Sequence, residues 1–317
     1  MADLAIIIVT WNVRSLVLDA LRTVYAELAS GNLDAEVFVV DNASSDGTTE
    51  SIRAEFPAVK VLAQVGNLGF AAGNNVAMRA LGFQDIPAPN PHGPKAVLLL
   101  NPDTLVQHGA IRTLYEQLCR LPRAGAVGAQ LAYADGSFQH GAFGFPGIWQ
   151  LAIELFPLPG RLYESRLNGR YSRALYAAGD PFPVDHPLGA AFMIRREVIE
   201  QIGLLDEQFY MYCEEVDWSM RIRRAGWEIY MVPSAHITHL EGKSSGQAHP
   251  QSVLNLWTSR LRLYQKHYAP LKLALAKTLV RLGMRRKIRL AQSNTSLTIE
   301  QRQELIGAYQ QVIKLFS

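Results

Sequence analysis

The first 120 residues alternate short apolar runs with segments of helical periodicity, and this alternation restricts the fold more than any other feature of the chain. Residues 4–9, 35–40, 59–63 and 96–100 are apolar, rich in β-branched side chains and too short for buried helices, so they read as strands. Residues 15–28, 48–56, 71–81 and 108–121 carry apolar positions at helical spacing. Helices inserted between such strands specify a mostly parallel α/β sheet covered on both faces, because each crossover helix must bury its apolar stripe against the sheet. The strands end in polar loops: Thr10-Trp11-Asn12, Asp41-Asn42-Ala43-Ser44-Ser45-Asp46-Gly47, Gly66-Asn67-Leu68-Gly69-Phe70 and Asn101-Pro102-Asp103-Thr104. Those loops gather on one edge of the sheet, where open α/β folds bind ligands.

Farther along, residues 127–133 and 137–143 are expected to form a hairpin around Asp135-Gly136. Residues 145–185 are rich in Pro, Gly and aromatics without clear periodicity and read as a long, partly ordered stretch over the site, either a lid or a structural wrap. A strand over 188–194 and a helix over 196–202, stopped by Gly203, follow. The clearest helix of the second half covers 214–225, with Glu214, Glu215 and Asp217 in its first turn, three arginines near its end and Gly226 beyond it. A strand over 228–232 leads to His236 and His239, which an extended chain places on opposite sides. Helices over 253–268, 271–283 and 299–316 complete the chain.

This pattern divides the chain into a domain at 1–249 and a helical extension at 250–317. The net charge of +3 conceals that residues 242–298 hold eleven basic and no acidic side chains. Within them Leu271, Leu275, Leu279 and Leu282 recur at helical spacing beside Lys272, Lys277 and Arg281. An apolar, cationic helix suits the headgroup zone of an anionic membrane, or homo-oligomer formation through its leucines. The aromatics, zinc-ligand spacing and recognition helix of nucleic-acid binders do not accompany the charge. Met1 leads directly into the first strand, and no apolar run approaches the roughly 20 residues that span a bilayer. Cys119 and Cys213, both in apolar segments, do not suggest a disulfide framework. A cytoplasmic protein, peripheral on the inner face of the membrane, is the expectation.

Three acids within four residues are the chain's densest candidate for proton transfer. On a helix Glu214 and Asp217 share a face and Glu215 points about a quarter turn away. Complementing the helix dipole accounts for one or two acids, at about 0.3–1 kcal/mol each. It does not account for their position directly after Phe209-Tyr210-Met211-Tyr212, an aromatic run able to frame a ring-shaped ligand.

Taken in order, the four polar loops, the extension of the third through Ala71-Ala72-Gly73-Asn74-Asn75, and the acids at 214–217 resemble the family 2 glycosyltransferases. The similarity runs from residue 10 to about 246 and is strongest to the bacterial rhamnosyltransferase-like branch of cell-surface polysaccharide synthesis. The resemblance implies a GT-A fold, inverting transfer from a nucleotide-diphospho-sugar donor to a saccharide or lipid-linked acceptor, and a divalent metal, Mg²⁺ or Mn²⁺. Thr10, Trp11, Asn12 and Asp41 would then contact the nucleotide, with Asp41 on the base. Asn67, Gly69 and Asn74 would shape the nucleotide-sugar side, and Gly189-Ala190-Ala191 would line the donor sugar pocket. Asp103 would ligate the metal, and Asn101, standing where the family commonly has the first acid of Asp-x-Asp, would orient sugar hydroxyls or a metal-bound water. His239 would contact metal or pyrophosphate. Lys243 would neutralise the diphosphate, unless it is an ordinary solvated lysine.

Glu215 matches the family's base, usually an aspartate. Its extra methylene moves the carboxylate by about an ångström, a displacement that can cost ~10²-fold in rate, so Glu214 and Asp217 remain alternatives. The departures at Asn101 and Glu215 also sustain a second reading, a catalytically impaired sugar-nucleotide-binding or scaffolding subunit. Resemblance alone suggests L-rhamnose from dTDP-rhamnose as the donor.

Overall fold

The computed structural model describes residues 2–31, 33–240 and 250–317. Its elements run β1 (Leu4–Thr10), α1 (Arg14–Gly31), β2 (Ala35–Asp41), α2 (Thr48–Glu55), β3 (Lys60–Ala63), α3 (Phe70–Ala80), β4 (Ala96–Leu100), β5 (Thr104–Val106), α4 (Ala110–Arg120) and β6 (Ala124–Ala132). They continue through β7 (Phe138–Gln139), β8 (Ala142–Phe143), α5 (Ile148–Leu155), α6 (Arg173–Ala177), β9 (Phe182–Val184), β10 (His186–Pro187), β11 (Ala191–Arg195) and α7 (Arg196–Ile202). The last are α8 (Glu214–Arg224), β12 (Glu228–His239), α9 (Pro250–His267), α10 (Pro270–Ser293) and α11 (Ile299–Leu315).

The main sheet has the order β3-β2-β1-β4-β11-β6-β12-β5, with β7 and β9 on its flanks. Neighbours β3, β2, β1 and β4 are parallel, β11 is antiparallel between β4 and β6, and β12 runs parallel to β6. The strand period of two sorts β1 between two cores. Leu4, Ile6 and Ile8 pack with α1 and α4, whereas Ala5, Ile7 and Val9 pack with α3, α7 and α8. The expected α/β sheet, covered on both faces, is the fold observed.

These strand directions decide where the loops go. The C-terminal ends of β1, β2, β4 and β12 and the N-terminal ends of β11 and β5 all emerge on one edge. Thr10, Asp41, Asn101, Ala190, Asp103 and His239 therefore belong to a single rim.

The structure departs from the sequence reading in four places. The turn after β4 gives way to the short strand β5, paired with the end of β12. The strand read over 228–232 continues to His239, past a register shift between Val232 and His236 that Pro233 accompanies. The stretch from 145 to 185 holds α5, α6 and β9, latched by the Asp185 carboxylate accepting from the Phe145 N–H at 2.9 Å and by the Tyr171 hydroxyl accepting from the Asp185 N–H at 2.8 Å. α10 extends to Ser293 and turns Ala276, Val280 and Met284 inward, while Leu271, Leu275 and Leu282 face solvent. The hairpin at 127–143 forms, with β7 paired to β6.

A third core joins the extension to the rest. Trp257, Leu263 and Tyr264 of α9, with Val280 of α10 and Val312 of α11, pack against Leu151 and Leu155 of α5 and against Phe209, Cys213 and Val216. The C-terminal helices thus lean on the segment that carries the three acids.

Candidate active site

Thr10 and Asp41 are register partners at the ends of β1 and β2. Just past them the chain takes left-handed conformations at Asn12 (φ 52°) and Ala43 (φ 61°), which few non-glycine residues adopt. Hydrogen bonds hold both turns. Asn12 Oδ1 accepts from the Ser45 N–H at 2.8 Å, and Ser44 Oγ accepts from the Asn12 N–H at 2.8 Å. The buried Asp41 carboxylate accepts from the Ser44 N–H at 3.0 Å and from the Thr49 hydroxyl at 2.5 Å. Each oxygen of Asp41 thus has one donor, from its own loop or from the first turn of α2, and keeps one lone pair for another. Trp11 projects from this rim and is largely exposed.

The next loop is built around Asn67, whose Oδ1 accepts from the Gly69 N–H at 2.9 Å and from Asn42 Nδ2 at 3.3 Å. Asn67 therefore shapes the loop. Gly69 is required twice over. Its φ is 84°, and a Cβ there would lie 2.2 Å from the Tyr210 carbonyl oxygen. That oxygen accepts from the Phe70 N–H at 2.9 Å, which draws the segment ahead of α8 onto the start of α3. Thr10 Oγ1, Asn42 Oδ1 and Asn74 Oδ1 are buried here without hydrogen-bond partners. Unsatisfied buried polar atoms are uncommon in folded proteins, and several on one rim mark a place prepared for a ligand.

On the acid side Tyr212 (φ 71°) and Cys213 (φ 68°) are left-handed in succession, at a cost of about 1–3 kcal/mol each. This strained turn delivers Glu214 and Glu215 into the first turn of α8. Glu215 faces Gly189, where an added Cβ would sit 3.7 Å from the Glu215 Cγ. Beside it the Ala190 carbonyl accepts from the Asn101 N–H at 2.9 Å. Glu215, Gly189, Ala190 and Asn101 thus meet at the end of β4.

The three acids occupy different electrostatic settings. Glu214 and Glu215 each leave Oε2 buried without a partner. Burial pushes the Glu215 carboxyl up to about 7. Burial raises Glu214 well above the usual carboxylate range, and the neighbouring Glu215 charge adds to the rise. Asp217 is opposite in behaviour. Burial alone would raise it, but hydrogen bonds from His267 and Lys266 and the charges of Arg221 and Lys266 bring it down to about 2. Its oxygens lie 2.7 Å from His267 Nε2, 2.8 Å from Lys266 Nζ and 2.9 Å from Arg221 Nε. A carboxylate so engaged is a poor proton acceptor. Glu215, partly exposed and poised near neutrality, is suited to that role.

Asp103 and His239 meet across the β5 and β12 pairing, with Asp103 Oδ1 3.4 Å from His239 Nε2 and the Asp103 carbonyl accepting from the Leu240 N–H. Gln139 Nε2 lies 3.2 Å from His239 Nδ1, holding the ring. His236, three positions back on the other face of β12, is exposed. Oxygen and nitrogen donors at this separation can both reach one divalent cation at about 2.0–2.2 Å, so the pair fits a metal. Among the described residues no cluster of three or more His, Cys, Asp or Glu surrounds a common point. Lys243, expected at the diphosphate, lies in 241–249, outside the described residues.

Sequence reasoning missed the part played by α9. Besides Lys266 and His267 it supplies Ser259, whose hydroxyl donates to the Met211 carbonyl at 2.7 Å, and Arg262, which donates to the Gln208 carbonyl. The only signal was a stretch with scattered basic residues and no acidic ones, which does not say which of them turn inward.

The comparisons with known proteins agree with this geometry. The model of the family described as "Glycosyltransferase like family 2" matches residues 2–253. The N-acetylglucosaminyl-diphospho-decaprenol L-rhamnosyltransferase of Mycobacterium tuberculosis (strain ATCC 25618 / H37Rv) is 31% identical over 224 residues, 69% of this chain and 72% of that protein. The low-salt glycan biosynthesis hexosyltransferase Agl10 of Haloferax volcanii is 28% identical over 223 residues, covering 70% of this chain and 62% of that one. Among solved structures, GalNAc-T7 with UDP, GalNAc and Mn²⁺ superposes with a TM-score of 0.58 at 17% identity, over 100% of this chain and 56% of that chain. The mannosyltransferase PcManGT of Pyrobaculum calidifontis, in complex with GDP-Man and Mn²⁺, gives 0.57 at 17% identity, over 99% and 86%. Likeness at that identity shows the fold alone. The ordered loops, the rim they form and the matched family model lead to one conclusion: the chain belongs to the family 2 glycosyltransferases and has their GT-A fold.

Proposed function

We propose that this glycosyltransferase transfers a sugar with inversion from a nucleotide-diphospho-sugar to a hydroxyl of a saccharide or lipid-linked saccharide in cell-surface polysaccharide synthesis. The observation that carries the reading is Glu215, with an unpartnered buried oxygen and a carboxyl raised to about 7, set over Gly189 at the end of β4. In this scheme Thr10, Trp11, Asn12 and Asp41 receive the nucleotide, while Asn67, Gly69 and Asn74 form the wall behind it. Asn101, Gly189 and Ala190 border the donor sugar. Glu215 accepts the proton of the acceptor hydroxyl as that oxygen attacks the anomeric carbon, from the face opposite the departing diphosphate. Asp103 and His239 would hold Mg²⁺ or Mn²⁺, which when bound supplies positive charge to offset the diphosphate. L-Rhamnose from dTDP-rhamnose is the proposed donor, by likeness to the mycobacterial rhamnosyltransferase.

Thermal shifts with dTDP-rhamnose, UDP-glucose, UDP-galactose and GDP-mannose, each with Mg²⁺ or Mn²⁺, test the donor, since a ligand at 100 times its Kd stabilises by about 2.7 kcal/mol. Glu215→Gln should bind donor normally and lose turnover by about 10²–10⁴-fold, whereas Asp103→Ala should lose the metal-dependent shift. Full turnover in Glu215→Gln would remove the proposed base. Tight donor binding by the parent protein without turnover on any acceptor would instead support the scaffolding role.

A further inference from the structure

Away from the rim, the C-terminal end of α8 meets the junction of α9 and α10 around a cavity of about 490 Å³. Arg223, Arg224 and Lys272 stand on its wall beside Phe145, His267 and Tyr268. The carboxylates nearby are taken by other groups: Arg221 and Lys266 share Asp217, to which His267 Nε2 is also hydrogen-bonded, and Arg260 takes Glu154. Arg223, Arg224 and Lys272 have no carboxylate partner among the described residues, and Lys272 Nζ rests 3.8 Å from the centre of the Tyr268 ring. His267 adds a buried Nδ1 that no protein group bonds. Uncompensated cations over a partly aromatic wall suit an anion that continues into an apolar body, in a space of the size that small ligands occupy.

The second observation is the face of α10 that begins at Leu271, next to Lys272 in sequence. Leu271, Leu275 and Leu282 are 84%, 46% and 45% exposed, and Trp149 on the adjoining α5 is 64% exposed. At about 100° per residue the three leucines fall within an arc of about 40°, and Arg285 and Arg289 continue the same line. The opposite side of α10 is closed against α5, where a Cβ on Gly283 would lie 2.7 Å from the Leu155 Cβ. α9 and α10 contain no acidic residue. A helix held by one side, with leucines and arginines on the other, matches the geometry of an interfacial helix, and its charge is complementary to an anionic leaflet.

We propose that this surface docks on an anionic bilayer, with the phosphate of a phosphatidylglycerol headgroup in the cavity and Leu271, Leu275 and Leu282 at the acyl boundary. Its purpose, keeping the cleft beside a lipid-linked acceptor, rests on the function proposed above, but the binding does not require turnover. Flotation of the whole protein with phosphatidylcholine vesicles, alone or with about one third phosphatidylglycerol, tests it. The protein should float only with the anionic vesicles and be released by salt. The combined variants Arg223→Ala/Arg224→Ala/Lys272→Ala and Leu271→Ser/Leu275→Ser/Leu282→Ser should each partition about tenfold or more weakly. All six positions are exposed, so both variants should keep the parent melting temperature and donor-induced thermal shift. Equal flotation with neutral vesicles, or undiminished flotation of the cation variant, overturns the headgroup assignment. Absence of flotation, with calorimetric binding of inorganic phosphate that the cation variant loses, makes the cavity a free-anion site and overturns the lipid. Absence of flotation with a dimer that dissociates in the leucine variant assigns the face to a second copy of the chain.

Discussion

The two sides of the cleft are built by opposite means. On the side proposed to receive the nucleotide, polar groups largely satisfy one another. Asn12, Ser44 and Asp41 bond across two loops, Asn67 folds back on Gly69, and only a few oxygens are left over for a ligand. On the acid side, Glu214 and Glu215 each keep one buried oxygen without a partner just past a strained turn, while Asp217, two residues beyond Glu215, is held by Arg221, Lys266 and His267. One side is a receptor shaped by its own hydrogen bonds. The other presents two carboxyls raised by burial beside a third that ties the helix they stand on to α9.

The strongest test of that contrast is Asp217→Asn. If Asp217 anchors α8, losing its charge leaves Arg221 and His267 without their carboxylate, although Lys266 keeps Asp206 at 2.7 Å, and should cost about 3–5 kcal/mol. At roughly 1.5 °C per kcal/mol for a chain of this length, a melting temperature lower by about 5–8 °C is expected. Turnover should fall through displacement of Glu215, by about 10²-fold, with the pH profile unmoved. A variant that melts like the parent but has lost its pH dependence would make Asp217 the base and reverse the two roles.

The pH profile separates the sides next. A carboxyl raised to about 7 by burial is protonated and unable to act as a base below that pH. kcat/KM should therefore rise about tenfold per pH unit up to about pH 7 and then level, the limb belonging to the free enzyme's base. Asp217, held at about 2, contributes no limb in this range. The stability sign is opposite to that of activity. A carboxyl whose folded value exceeds its unfolded one stabilises the fold below the unfolded value, near 4.5, and loses that contribution as pH climbs through about 7. Melting temperature should decline over this window in the parent and decline less in Glu215→Gln. A flat activity profile from pH 5 to 8 would contradict the setting described for Glu215.

The nucleotide side was the more legible in sequence, for a physical reason. Its strands, loops and helices follow one another along the chain, so period, turn chemistry and order suffice to place Thr10, Asp41, Asn67 and Asn101 on one rim. The acid side depends on contacts distant in sequence. Helical spacing put Glu214 and Asp217 on one face and turned Glu215 away, yet nothing local indicated that α9, some fifty residues later, would engage only the third. The same limit applies to α10. Its leucine spacing marked an apolar stripe, but the stripe chosen for the core was the less conspicuous Ala276, Val280 and Met284, because Gly283 lets α5 approach on that side. β5 escaped notice since three residues after a polar turn carry too little period to read.

Smaller effects should come from the seam where the two sides touch. Gly69→Ala would place a methyl against the Tyr210 carbonyl at a φ of 84°, so the bond from the Phe70 N–H to that carbonyl must open. A loss of about 1–3 kcal/mol of stability is expected from the strained conformation, together with weaker donor binding measured by calorimetry. Unchanged donor affinity would show that the loop and the acid segment are independent.

Ser259→Ala is the gentlest probe, and it isolates what α9 contributes apart from charge. Its hydroxyl bonds to the Met211 carbonyl, one residue before the left-handed pair Tyr212 and Cys213. Removing one neutral hydrogen bond should cost only about 0.5–1.5 kcal/mol of global stability. The turn it steadies, however, sets the direction in which Glu215 leaves the loop. If α9 holds that turn in place, kcat should fall several-fold while the donor Kd, which depends on the opposite wall, stays within error. A kcat equal to the parent's would mean that the Asp217 cluster alone positions the acids and that the strained turn needs no support from Ser259.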